Sequence, residues 1–304
     1  MFFELDESQR DFAASIDAAL GAADVPAAVR AWSGVEKAAD AAPGRKVWST
    51  LADLGVTALN VPEEFDGIGA HPVDLVVALE RLGYWAVPGP VTESIAVAPV
   101  LLASDARSEG LASGELIATV AQPPLTPRAV DADTAGLILL AGDGQVQDAA
   151  AGEEHQSVDP ARHLFDVTAT GEAAQLVGAG QAMLDMAVEY AKQRTQFGTV
   201  IGSYQAIKHK LADVHIAVEL ARPLVYGAAL ALADRSPTLA RDVSAAKVAA
   251  NEAALLAARS SLQTHGAIGF TQEHDLSLLL LRTQALRSAW GDSAWHRTRV
   301  LEGL

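Results

Sequence analysis

From residue 172 to residue 301 the sequence repeats its apolar residues at helical period almost without a break, and this run constrains the fold more than any other feature. Four stretches, near 172–195, 204–233, 239–265 and 274–301, read as long helices that must bury their apolar sides against one another. A four-helix bundle is the expected result. Punctuation agrees. Ser203 is the expected N-cap of the second helix, Pro237-Thr238 precedes the third, and Gly266 and Gly269 stop it. Alanine is concentrated from Ala245 to Ala258, which lets the third helix approach its neighbours closely, while aromatic residues are only 5% of the chain, too few for a β-rich sandwich.

Residues 1–113 also carry helical period, with Phe12, Ile16 and Leu20 on one stripe and Leu75, Val76, Leu79 and Leu82 on another. Between them, Pro62, Gly67 and Gly69 mark a loop. From 114 to 168 the pattern changes to short apolar runs, 115–120 and 136–140, bounded by Pro, Gly and Asp, which read as strands. The expectation is a mainly α chain: an N-terminal helical domain over 1–113, a small middle β domain over 114–168 and a C-terminal bundle over 169–304.

Charge and composition exclude several functions. With 22 basic against 38 acidic residues the net charge is -16, so nucleic acid and anionic membrane are poor partners. The absence of cysteine removes disulfides, thiol nucleophiles and cysteine metal sites. The densest apolar run, Leu276 to Leu281, is far short of the roughly 18–20 residues a bilayer-spanning helix needs. The first residues lack the basic and apolar regions of a secretory signal, so a cytoplasmic location is expected. His209 and His215 lie six apart, about 240° around a helix, and the other histidines show no ligand-like spacing; no metal site is expected.

Two segments suggest chemistry. Arg194-Thr195-Gln196-Phe197-Gly198 follows the first long helix, where an arginine can simply complement the helix dipole, yet a planar guanidinium is also suited to clamp a phosphate. Gln263-Thr264-His265-Gly266-Ala267-Ile268-Gly269-Phe270 ends the third helix, where two glycines either stop the helix or let backbone approach a flat ligand. Both readings stand for each segment taken alone.

Together they resemble the acyl-CoA dehydrogenase family of flavoproteins. The resemblance runs through Phe3-x-Leu5-x-Glu7-x-Gln9-x-x-Phe12, Trp48-x-x-Leu51-Ala52-x-Leu54-Gly55, Val61-Pro62-Glu63-Glu64, Gln181-x-x-Leu184-Asp185, Arg194-x-Gln196-Phe197-Gly198 and Gln263-x-x-Gly266-x-x-Gly269-Phe270. It implies dehydrogenation of an acyl-CoA thioester across Cα–Cβ: a carboxylate base takes the α-proton and hydride passes from the β-carbon to FAD, with an electron-transferring flavoprotein as acceptor. It also implies that Arg194, Gln196, Phe197, Gln263, Gly266 and Ala267 reach across a subunit interface to FAD held mostly by a neighbour.

The family pattern fails where the base belongs. One usual base position, counted from Arg282, is Gly291, and the other, upstream of Arg194, is Thr168. Neither side chain serves as a base at neutral pH. Asp292 and Glu172 are the nearest carboxylates. The middle β region is also about half the family's usual length: Gln122-Pro123-Pro124 stands where a flavin-binding signature is expected, and no Trp-Ile-Thr-like segment follows. This combination resembles the short, non-catalytic subunit of the heteromeric acyl-CoA dehydrogenases of actinobacteria, which are heterotetramers of two long and two short subunits, many acting on steroid-derived thioesters. The implied partner is a longer subunit that carries the base and shares FAD. A self-sufficient homotetramer with a displaced base, and a structural partner that never touches flavin, are the alternatives. The apolar faces of the second and third bundle helices imply a dimer or larger assembly.

Overall fold

The computed structural model describes residues 4–34, 39–122, 127–142, 145–166 and 172–303. Among the described residues, six α-helices come first: α1 (Glu7–Ala22), α2 (Val25–Ser33), α3 (Ala42–Asp53), α4 (Pro72–Tyr84), α5 (Ala98–Leu101) and α6 (Ser108–Ala112). α1 begins with a capping box in which the Asp6 carboxylate accepts from Gln9 N at 2.9 Å and the Gln9 side chain accepts from Asp6 N at 3.2 Å. Its predicted stripe faces inward, with Ile16 and Leu20 fully buried. Pro72 opens α4, where its missing N–H costs nothing.

Six short strands follow: β1 (Ala118–Ala121), β2 (Arg128–Val130), β3 (Leu137–Gly142), β4 (Gln145–Asp148), β5 (Glu154–His155) and β6 (Leu164–Asp166). They form two three-stranded sheets, ordered β1-β3-β4 and β2-β6-β5. β1 runs parallel to β3, pairing Ala118 with Leu137, and the other pairs in these sheets are antiparallel.

The C-terminal part contains α7 (Glu172–Gln193), a two-residue-strand hairpin of β7 (Thr195–Gln196) and β8 (Thr199–Val200), then α8 (Gln205–Ala233), α9 (Leu239–His265), α10 (Leu276–Ser288) and α11 (Ser293–Glu302). α9 packs on both α7 and α8. Its alanines make this possible: Ala246, Ala250, Ala253, Ala254, Ala257 and Ala258 are all buried. α7 also crosses α4 at a glycine contact, since a Cβ on Gly178 would lie 2.0 Å from the Glu80 carbonyl and one on Gly83 would lie 2.4 Å from that of Gln175. The two backbones therefore touch, joining the N-terminal helices to the bundle.

Two expectations are corrected. The stretch 274–301 is two helices, because Trp290 and Gly291 take φ of 62° and 99°, and Asp292 caps a new helix by accepting from Trp295 N at 2.8 Å. Breaking the helix there lets the Trp290 ring bury among Ala58, Val61, Leu102, Val120 and Leu139. Ser203 does not cap α8; Tyr204 holds that position with no side-chain cap, and the Ser203 hydroxyl donates to the Val200 carbonyl at 2.7 Å. α8 is the most apolar long helix among the described residues, with a length and composition that core helices also have, and Lys208, Lys210, Asp213, Glu219 and Arg222 interrupt its apolar run as the sequence indicates. It packs on α4, α7 and α9. Ile216, Leu220 and Leu224, at i, i+4 and i+8, leave an exposed apolar stripe on its outer face.

Candidate functional site

α7 and α9 run in the same direction, as contacts from Met183 to Ser261 and from Tyr190 to His265 show, while α8 runs back between them. The C-termini of α7 and α9 and the N-terminus of α8 therefore share one end of the bundle. Both predicted flavin-contact segments lie there, seventy residues apart in sequence and united by topology.

Arg194 terminates α7, its N–H donating to the Tyr190 carbonyl at 2.9 Å. The chain then turns back, pairing Thr195 with Val200 and Gln196 with Thr199. Phe197 and Gly198 form the tip with φ of 52° and 82°, the doubly left-handed geometry of a tight hairpin turn. Glycine adopts it freely; a phenylalanine does so only under strain. Moreover, the Phe197 side chain is 94% exposed and so gains no packing within the chain for that strain. The hairpin is steadied from below by Tyr204, whose hydroxyl donates to the Gln196 carbonyl at 3.0 Å, and by Ile201 N donating to the Arg194 carbonyl at 2.8 Å. The Arg194 side chain is exposed and makes no ion pair with any described residue.

The second segment is set by His265. Its ring is buried, stacks on Tyr190 at 4.4 Å and meets His274 edge-on at 4.8 Å, while Nδ1 hydrogen-bonds to the Ser261 carbonyl at 2.9 Å. Burial, the main cause, lowers its pKa. His265 is thus a neutral wedge that locks the ends of α7 and α9 together. Beyond it, Gly266 takes φ 67° and ψ -143°, open to glycine alone, and a Cβ there would meet nothing within 4 Å. The glycine leaves open space above the backbone. Gln263, Gly266 and Ala267 are exposed, as is Phe270. Lys210, from the first turns of α8, donates to Gln263 Oε1, adding a second cation that motif reading overlooked because it lies on another helix.

A guanidinium, an ammonium, an aromatic ring and an unobstructed glycine backbone suit an anionic cofactor carrying flat rings, and the FAD of the sequence resemblance has this chemistry. Phe197→Asn would convert the tip to Asn-Gly, the pair this turn prefers. It should raise the melting temperature of the isolated chain slightly while reducing flavin retention in any complex; a lower melting temperature would show that the ring is held for folding.

At the usual base position the geometry is closed. A Cβ on Gly291 would lie 2.6 Å from the Trp295 ring and 3.2 Å from His296 Nε2. His296 is buried, its Nε2 donates to the Trp290 carbonyl at 3.0 Å, and burial with nearby Lys247 pushes its pKa down to about 4. Asp292 is exposed and its carboxylate accepts from Trp295 N as a helix cap. Thr168 and residues 123–126 lie outside the described residues; Glu172 begins α7. Gly291→Glu should therefore create no dehydrogenase activity and should destabilise the chain by about 1–3 kcal/mol of backbone strain, measured by urea unfolding. Asp292→Asn, which caps equally well, should leave both stability and the turnover of an assembled complex within a few-fold.

Comparison with known proteins gives the same direction. Residues 6–106 match the acyl-CoA dehydrogenase N-terminal domain family and residues 159–304 the acyl-CoA dehydrogenase C-terminal domain family. The chain is 34% identical over 281 residues to acyl-CoA dehydrogenase IpdE2 of Mycobacterium tuberculosis, covering 84% of this chain and 85% of that protein. Its fold superposes on the ChsE4-ChsE5 complex of Mycobacterium tuberculosis with TM-score 0.83 at 23% identity, over 99% of this chain and 98% of the other. A variant of the Tcur3481-Tcur3483 steroid ACAD gives TM-score 0.81 at 20% identity, over 98% of this chain and 97% of that one.

Proposed function

The chain belongs to the acyl-CoA dehydrogenase family, and from that premise we propose that it is the short, base-free subunit of a heteromeric FAD-dependent acyl-CoA dehydrogenase, completing the flavin site of a longer partner that carries the catalytic Glu. The observation behind this reading is a mismatch within one chain: the candidate flavin contacts stand exposed at the bundle end, while Gly291, where the resemblance implies a base, is packed against the Trp295 ring.

When bound, FAD supplies the hydride acceptor for oxidation of the substrate Cα–Cβ bond. The part of this chain is to hold it. Arg194 and Lys210 would supply positive charge for the pyrophosphate, Phe197 an apolar surface that keeps water away, and Gln263 with the backbone at Gly266 and Ala267 polar groups to hold the cofactor. Gln196 sets the hairpin between Arg194 and Phe197. The exposed stripe Ile216, Leu220 and Leu224 on α8 supplies surface for assembly into a heterotetramer. The name of one similar complex, the Tcur3481-Tcur3483 steroid ACAD, supports a steroid-derived acyl-CoA as substrate. An electron-transferring flavoprotein is the electron acceptor, and the complex works in the cytoplasm.

Purification tests this directly. The chain alone should be colourless and inactive toward acyl-CoA thioesters with FAD added, and co-expression with a longer dehydrogenase chain bearing the Glu should give one yellow, active complex. A yellow, active oligomer of this chain alone would overturn the proposal.

A further inference from the structure

A second cluster of ligand-type side chains lies far from the bundle end, where the N-terminal helices meet the β2-β6-β5 sheet. Asp131 follows β2 with φ 52° and is 0% exposed. Its Oδ1 accepts from the Trp32 indole N–H of α2 at 3.1 Å and from His163 N at 3.0 Å. Its Oδ2 is buried with no hydrogen-bond partner among the described residues. His163 Nδ1 stands 3.0 Å from Asp133 Oδ2 and 3.9 Å from Asp131 Oδ1, and one ligand atom from each of the three residues lies within 4.8 Å of the others.

We propose that Asp131, Asp133 and His163 bind a divalent cation of the zinc class. A carboxylate buried with a bare oxygen is costly unless a proton or a cation meets it. Two carboxylates and one imidazole make a borderline donor set: oxygens alone suit magnesium or calcium, and adding a ring nitrogen shifts the preference toward zinc. Three protein ligands leave a fourth tetrahedral position for water. The local charge agrees. Asp131 and Asp133 contribute two negative charges, Glu154 also acts on His163, and the cation acting on Asp131 besides His163 is Arg162, so an entering ion meets a net negative site. Oδ1 of Asp131 is already anchored by Trp32, so the carboxylate is held in place before any ion arrives. The bound ion would join the loop after β2 to the loop before β6, a structural role independent of the flavin reading. Spacing in the sequence gave no hint of it, because Asp133 and His163 come from loops thirty residues apart that β2–β6 pairing brings together.

The test uses the full chain, treated with EDTA, dialysed and titrated with zinc chloride, with magnesium chloride as control. One zinc per chain should bind saturably and raise the melting temperature, an increase that EDTA reverses, while magnesium does little. Asp133→Asn, at a half-exposed position that carries no core packing, should weaken zinc binding by at least about ten- to a hundredfold. His163→Gln should do the same, because the backbone N–H to Asp131 is kept. His209→Gln and His215→Gln should change nothing. Absence of saturable binding below about 1 mM zinc, or binding unchanged in both Asp133→Asn and His163→Gln, would overturn the site and leave a protonated His163 between two carboxylates as its occupant.

Discussion

Replacing Arg194 by Ala should cost the assembled enzyme its flavin, with retention weakened by roughly ten- to a hundredfold, equivalent to about 1.5–3 kcal/mol for a hydrogen bond to a charged group. The argument starts from charge. The pyrophosphate of FAD is anionic and the chain carries a net charge of -16, so diffuse attraction cannot hold the cofactor here. A specifically placed cation must do so, and Arg194 projects from the end of α7 with its guanidinium exposed beside the Phe197 hairpin. Arg194→Lys should recover only part of the loss, because an ammonium cannot reproduce bidentate guanidinium–phosphate geometry. Folding of the isolated chain should change little, since a cation at an exposed helix terminus contributes roughly 0.3–1 kcal/mol. Absorbance of the complex after gel filtration reads the result. Full flavin content together with a lower melting temperature would mean that Arg194 serves the helix dipole and not the cofactor.

The largest stability effect should come from Arg282, which is 1% exposed at the junction of three parts of the chain. From α10 its Nε donates to Asp159 Oδ2 at 2.6 Å, on the connection between β5 and β6, and its Nη1 donates to the Val87 carbonyl at 3.0 Å, beyond α4. Arg282→Met keeps most of the side-chain volume but leaves Asp159 as an uncompensated buried charge and Val87 without its donor. Removing one member of a buried pair costs about 3–5 kcal/mol, and urea unfolding followed by circular dichroism should show a loss of that size. Adding Asp159→Asn should return part of it, because the penalty arises mainly from the orphaned charge. A loss below about 1 kcal/mol, the range of an exposed ion pair, would mean that water reaches this junction and that Arg282 does not tie the chain together.

The spans of α7, α8 and α9 were legible in the sequence to within a few residues because helical period is a local property, and Ile16 and Leu20 bury the face their spacing predicts; the break at Trp290 and Gly291 was not legible. That Gly291 stands where the family resemblance implies a base was also read from sequence, by counting from Arg282. The candidate flavin contacts could be named from sequence, but their common placement could not. Arg194 and Gln263 share a bundle end because α7 and α9 run in the same direction with α8 returning between them, and a periodic pattern carries no direction relative to another helix.

What the sequence determined by itself is therefore the series of elements as far as the break after α10, and the residue types available at two helix ends. What only the tertiary structure decided is how side chains distant in sequence are spent. His265 is a wedge against Tyr190; Trp290 breaks a helix because a hydrophobic cluster 150 to 230 residues earlier receives its ring; Arg282 binds Asp159 and Val87; Asp131 is buried beside His163. The physical reason is the range of the interactions. Helix period and caps act over three or four residues, while burial, pairing of charges and the space left at Gly266 are set by helix crossings and strand pairing that join segments far apart in the chain.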